Sequence, residues 1–155
     1  MMYKHRNDSL DELDTRILAL LSKDARRSCR QLAEKLDVAS GTVYNRVRKM
    51  TEAGVIKGYI PLLDHTKLGY GLMSLILIQV EGQRLTDVEK ELAQNAEVMA
   101  VYDITGEFDV AVVARFKSQA SMNAFIKDTL KNPSIRRTVT NVVLNVIKED
   151  PRVQF

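Results

Sequence analysis

A chain of 155 residues, 45% hydrophobic and 28% charged, has room for one ordinary domain or two small ones, and its composition excludes a disordered or fibrous protein. Its longest apolar run, around Leu75–Ile78, is far shorter than the ~20 residues of a spanning helix, and MMYKHRNDS lacks the apolar segment of a signal peptide, so the expected place is the cytoplasm, without a membrane partner. Cys29 is the only cysteine, which leaves no disulfide framework and no thiolate zinc site; no metal or cofactor is expected.

The net charge of +3 is unevenly spread: residues 1–63 carry 12 Lys+Arg against 8 Asp+Glu, a balance of +4, while residues 64–155 carry 11 against 12, a balance of −1. Between Lys23 and Met50 eight basic residues face only Asp24, Glu34 and Asp37, and a polyanion is the natural partner of such a segment.

Three helices are expected in this basic part. Ser9-Leu10-Asp11-Glu12 reads as a capping box, followed by Leu10, Leu13, Ile17, Leu20 and Leu21 on one face. Ser28-Cys29-Arg30-Gln31 is a second capping box, opening a short helix with Leu32 and Leu36 buried, and Asp37-Val38-Ala39 breaks it. Ser40 is expected to cap a third helix, with Val43, Val47 and Met50 inward and Gly54 at its end. Two short helices joined by a tight turn form a helix-turn-helix. Stepping 100° per residue, the face opposite Val43 carries Gly41, Thr42, Asn45, Arg48 and Lys49, flanked by Tyr44 and Arg46, with no acid among them. With Ser40 and Gly41 at its start, such a helix can enter a groove of double-stranded DNA; Thr42, Tyr44 and Asn45 are candidates for base edges, and Arg46, Arg48, Lys49, Arg27 and Arg30 for phosphates.

VIKGYIPLLDHTKLG, with Gly58 and Pro61 too close for a helix, reads as a strand and linker, and its His65 as a solvated loop histidine. From Leu72 the period changes to that of strands. LMSLILIQV is a strand, Thr86-Asp87-Val88-Glu89 a capping box opening a helix with Leu85, Val88 and Leu92 inward, and VMAVYDI and FDVAVVARF two strands around a turn. Met122, Phe125, Ile126 and Leu130 mark a helix ended by Asn132-Pro133, and RTVTNVVLNVI the last strand. The fold class is α+β: a helix-turn-helix domain at 1–56, strand and linker at 57–69, and a ferredoxin-like β-α-β-β-α-β domain at 70–155. Two helices cover one face of such a sheet, yet both faces of these strands are apolar, so the second should meet a copy of the chain in a homodimer.

In the hairpin ITGEFDV, Gly106 alone is needed for the turn. Asp103, Glu107 and Asp109 put three carboxylates into an apolar hairpin, suited to an amino-acid ammonium, while the backbone N–H groups around Thr105, Gly106 and Phe108 suit its carboxylate. Thr138 and Thr140 are further candidates if the last strand lies nearby. An enzyme would need a nucleophile with a base, a metal cluster or a phosphate loop, and a lone Cys29 with separated His5 and His65 supplies none.

QLAEKLDVASGTVYNRVRKMTEAGVIKGY, with the Ser40-Gly41-Thr42-Val43 start, Arg46 and the Glu52–Ile56 exit, together with the Gly106-x-x-Asp109 motif in a β-α-β-β-α-β unit, resembles the Lrp/AsnC (feast/famine) family of transcription regulators over nearly the whole chain. The resemblance implies a regulator whose C-terminal domain binds a small amino-acid effector near a contact between dimers, and dimers assembled into a higher oligomer such as an octamer. Within the family the likeness is to archaeal glutamine-responsive members, although no residue here singles out glutamine. The alternative is an architectural DNA-compacting protein with the same basic heads and no effector.

Overall fold

A computed structural model describes residues 10–152. Helices α1 (Glu12–Lys23), α2 (Cys29–Leu36) and α3 (Ser40–Glu52) come first. They are followed by β1 (Leu72–Val80), α4 (Leu85–Ala93), β2 (Val98–Asp103), β3 (Val110–Phe116), α5 (Gln119–Thr129) and β4 (Ile135–Val142). The chain divides into two compact units: one runs to Pro61 and also takes the stretch from Glu149, the other is Leu62–Lys148.

In the first unit Ile17, Leu21, Leu32, Leu36, Val43 and Met50 form a core that Leu13, Leu20 and Val47 flank. Burying each large side chain contributes about 1.5–3 kcal/mol. Leu10 precedes the helix and is 41% exposed. Ser9 and His5 lie outside the described residues; α1 is capped instead by Asp11, whose side chain accepts from the Asp14 N–H while Asp14 reaches back to the Asp11 N–H. The Ser28–Gln31 capping box at α2 forms as the sequence implies. Asp37 ends α2 in the left-handed region (φ 55°), which aspartate tolerates better than most residues and which turns the chain sharply into α3. Ser40 does not cap α3. It is the first helical residue, behind Ala39, and no side chain caps this end. At the far end Gly54 (φ 75°) donates to the Thr51 carbonyl and Val55 to that of Met50, a paired closure that glycine permits.

Residues 55–71 contain no strand, contrary to the expectation for VIKGYIPLLDHTKLG. Extended backbone becomes a strand only with a ladder partner, and among the described residues none pairs with this segment, whose stretch from Asp64 to Tyr70 forms hydrogen-bonded turns; Ile60, Leu62 and Leu63 stand 83%, 66% and 55% exposed.

The second unit is an antiparallel four-stranded sheet in the order β2-β3-β1-β4 with α4 and α5 on one face, the ferredoxin-like arrangement. Ile76, Ile78, Val110, Val112 and Phe116 pack against Val88, Leu92, Met122 and Phe125, and the Phe116 and Phe125 rings meet at 5.6 Å between centroids. The other face carries the row Tyr102–Ala111–Leu77–Val139 and, beside it, Ala100–Val113–Leu75–Asn141. This face is largely apolar, with Leu75 38% and Tyr102 56% exposed. Three expectations fail. Thr86 does not cap α4, which starts at Leu85 behind Arg84 with no side-chain cap, and Leu130 is not a buried helix residue but the exposed C-cap of α5. The last strand also stops at Val142 rather than Ile147; beyond it Leu144 and Ile147 are 89% and 93% exposed, because apolar alternation continues where ladder pairing has ended.

Candidate functional site

Two groups of residues carry the chemistry, one in each unit. Along α3, Val43 and Met50 are buried while Ser40, Gly41, Thr42, Tyr44, Asn45, Arg48 and Lys49 are exposed, so the helix presents the acid-free face that its periodicity implies. Arg48 lies 3.8 Å from Glu52 one turn on, an exposed pair of little strength. A Cβ added at Gly41 would meet nothing within 4 Å, so the helix start is open to a large partner.

Arg46, also expected at phosphates, has partners within its own unit. Its Nη1 donates to the carboxylates of both Asp11 and Asp14, and Asp14 is itself buried. The guanidinium therefore ties α3 to the start of α1. It also joins the Asp14 N–H in holding the Asp11 carboxyl below its ordinary pKa, the backbone N–H being the larger cause. The sequence of α3 does not show this, because the partners lie 32 and 35 residues away.

At the entry to α2, Asp24, Arg26, Arg27, Gln31, Glu34 and Lys35 line a shallow hollow of about 510 Å³. Arg26 pairs with Asp24 at 3.1 Å and Arg30 with Glu34 at 3.2 Å, both on the surface. Arg27 differs: its Nε and Nη1 are shielded from solvent and have no hydrogen-bond partner among the described residues. Shielded donors of this kind call for an acceptor.

In the second unit the loop from Ile104 to Asp109 closes the β2-β3 hairpin, with Ile104 N–H donating to the Asp109 carbonyl at 2.9 Å. Gly106 sits at φ 127°, which side-chain-bearing residues rarely adopt, and space beside it is open. Asp109 is built into the sheet. Its N–H donates to the Ile78 carbonyl at 3.0 Å, and its Oδ2 accepts from the Val80 N–H at 2.8 Å, where the β1-β4 register shifts between Gln79 and Val80. Glu107 is held twice: its carbonyl by the Gln79 side chain at 3.4 Å and its carboxylate by Arg137 at 3.1 Å. The Arg137 guanidinium also lies over the Phe108 ring, 5.5 Å from its centroid.

Of the remaining candidates, Asp103 ends β2 and abuts the turn, whereas Thr138 and Thr140 lie on β4, two strands from β3. Asp103, Val110, Ile78 and Thr138 form one row across the sheet, so Asp103 and Thr138 stand at opposite edges, three strand spacings or roughly 14 Å apart. Thr138 and Thr140 pair with Ile78 and Ile76, whose side chains are buried under the helices; they therefore face the helix side, and the neighbour that reaches the turn is Arg137. Gln79, Val80 and Arg137 were not legible as turn partners, since only the strand order makes them neighbours of residues some thirty positions away. Strand alternation beside Thr138 was the one signal that could have put Arg137 on the other face.

A helix-turn-helix with an exposed cationic, amide-bearing face, joined to a ferredoxin-like domain with a polar hairpin turn, defines a DNA-binding regulator with a ligand-binding domain. Residues 10–57 match the family model described as winged helix-turn-helix DNA-binding, and residues 74–153 that of the Lrp/AsnC ligand binding domain. The chain belongs to the Lrp/AsnC family of transcription regulators. It is 43% identical to an HTH-type transcriptional regulator of Pyrococcus abyssi over 94% of this chain and 99% of that one. It is 33% identical to HTH-type transcriptional regulator FL11 of the same organism over 91% and 93%. AsnC of E. coli superposes with a TM-score of 0.83 at 26% identity, covering 90% of this chain and 95% of that one. Among the described residues no helix is long and apolar enough to cross a membrane.

Proposed function

We propose that the protein is a sequence-specific transcription regulator whose ligand-binding domain responds to a small amino acid. The observation that carries the first half is the exposed α3 face. Thr42, Tyr44 and Asn45 would meet base edges, while Arg48, Lys49, Arg30 and Arg27 would meet phosphates. Arg46 is assigned to holding α3 in place. The apolar sheet face around Leu75 and Leu77 supports a homodimer, which would present two heads to two half-sites; assembly of dimers into a higher oligomer such as an octamer belongs to the same reading.

For the effector, the turn Thr105–Asp109 is the proposed site. N–H groups around Gly106 would take the ligand carboxylate, and Asp109, whose Oδ1 accepts no hydrogen bond from another described residue, its ammonium. Thr138 and Thr140 stand apart from this turn within one chain and are left out of the proposal; Asp103 abuts the turn but lies in the helix-side row of Val110 and Ile78 and is left out with them. A thermal-shift screen of the twenty amino acids tests it, because a ligand specific for the native state raises the melting temperature by mass action. A flat screen would remove the effector. The architectural reading is tested separately: binding to the protein's own promoter fragment should survive excess random duplex at fixed salt, and equal loss to any duplex would favour compaction instead.

A further inference from the structure

We infer that Arg137 is the specificity-determining residue of the effector turn, holding Glu107 so that the site accepts amino acids with neutral or anionic side chains and rejects cationic ones. This rests on the effector reading above. Arg136 and Arg137 are adjacent in sequence but separate in the fold: Arg136 donates to Glu81 at 2.8 Å, while Arg137, opposite Gln79 in the ladder, reaches the turn. There it makes two contacts, an ion pair with Glu107 and a stack on Phe108. Both partners of the ion pair are more than half exposed, so the pair adds little to stability, and its consequence lies in the charge it places at the turn.

The carboxylates of the hairpin show what that charge does. Asp109 accepts from the Val80 N–H through Oδ2, Asp103 abuts the turn but shares the helix-side row of Val110 and Ile78, opposite to Arg137, and Glu107 is paired with Arg137. Beyond the Asp109 oxygen assigned to the ligand ammonium, no carboxylate on the Arg137 side of the turn is therefore left to receive a cationic side chain, whereas Arg137 uses one of its five donors on Glu107 and offers a positive group to an approaching ligand. Selectivity then comes from repulsion of the wrong ligand as much as attraction of the right one.

The test uses the full chain, with lysine, glutamine and glutamate as probes of similar length and different charge, titrated by calorimetry. Wild-type protein should bind glutamine or glutamate more tightly than lysine. Arg137→Ala should improve lysine relative to glutamine by about threefold or more, the worth of one exposed charge contact. Arg137→Lys should keep the wild-type order, and Arg137→Ala with Glu107→Gln should lose the gain because no carboxylate is freed. Unchanged melting temperatures of the ligand-free variants would show that the fold is intact. A wild-type preference for lysine overturns the inference, as does an Arg137→Ala protein that binds some amino acid but gains nothing for lysine. If none of the twenty amino acids binds any variant, the effector reading fails and the inference with it.

Discussion

Replacing Asp109 with alanine should destabilise the ligand-binding unit even with no ligand present. The Asp109 carboxylate accepts from the Val80 N–H at 2.8 Å, and Val80 is only 6% exposed, so the orphaned N–H would have little access to water. A hydrogen bond to a charged group contributes about 1.5–3 kcal/mol, and a buried donor left unsatisfied costs a similar amount. The two overlap, and about 2–3 kcal/mol is the expected loss. For a unit of 60–100 residues each kcal/mol corresponds to about 4–8 °C, so the melting temperature should fall by at least about 8 °C at fixed protein concentration. Asp109→Asn, which keeps an acceptor oxygen without the charge, should cost roughly half as much. Calorimetry reads the transition, and hydrogen exchange at the Val80 amide reads the bond itself: protection should drop in Asp109→Ala and persist in part in Asp109→Asn. A shift below about 2 °C for alanine, or an unchanged Val80 amide, would refute the assignment of Asp109 as a sheet anchor.

Gly106→Ala should cost about 1–3 kcal/mol from backbone strain alone, because φ is 127° and the new methyl would meet nothing; an unchanged melting temperature would show that the turn relaxes freely. Asp11 has its pKa lowered by the Asp14 N–H and then Arg46, so its charged form favours the folded state. That stability is present above the ordinary value of 3.8 and lost as pH falls through the lowered folded value. Asp11→Asn should flatten this acid-side loss in the helical unit, measured by circular dichroism melts between pH 3 and 6, and parallel curves would contradict it. Arg48→Ala with Lys49→Ala should reduce the slope of log affinity against log salt by about 0.9 for each phosphate contact removed in each head, and an unchanged slope would place both side chains away from the backbone of the duplex.

Much of the fold was legible because the hydrophobic period changes where the architecture does. LMSLILIQV coincides with β1 at both ends, and the helical stripes of Val43–Met50 and Val88–Leu92 are buried as spaced. What failed was local chemistry that depends on distant partners. Ser40 and Thr86 have good capping side chains, but the helices begin one and two residues earlier, respectively, than caps at these positions require. Val143 still donates to the Met73 carbonyl, but residues 144–147 keep the alternation of a strand without forming one, and residues 55–71 likewise contain no strand. In the turn, residue types pointed to Glu107 and Asp109, but the Val80 N–H and Arg137 that engage them are 29 and 30 positions away, visible only once β1 lies between β3 and β4. Arg46 is a similar case: from its own helix it belongs to a cationic face, and only α1 packing shows its ion pairs with Asp11 and Asp14.

The central claim is that the outer face of α3 reads DNA sequence, and affinities of wild-type and Asn45→Ala protein for the protein's own promoter fragment and for random duplex, at one salt concentration, test it most directly. A lost base contact is worth about 1–3 kcal/mol, so specific affinity should fall about tenfold or more while random-duplex affinity changes less than about threefold. Equal weakening on both DNAs would mean that Asn45 does not read a base and that the face assigned here is the wrong one.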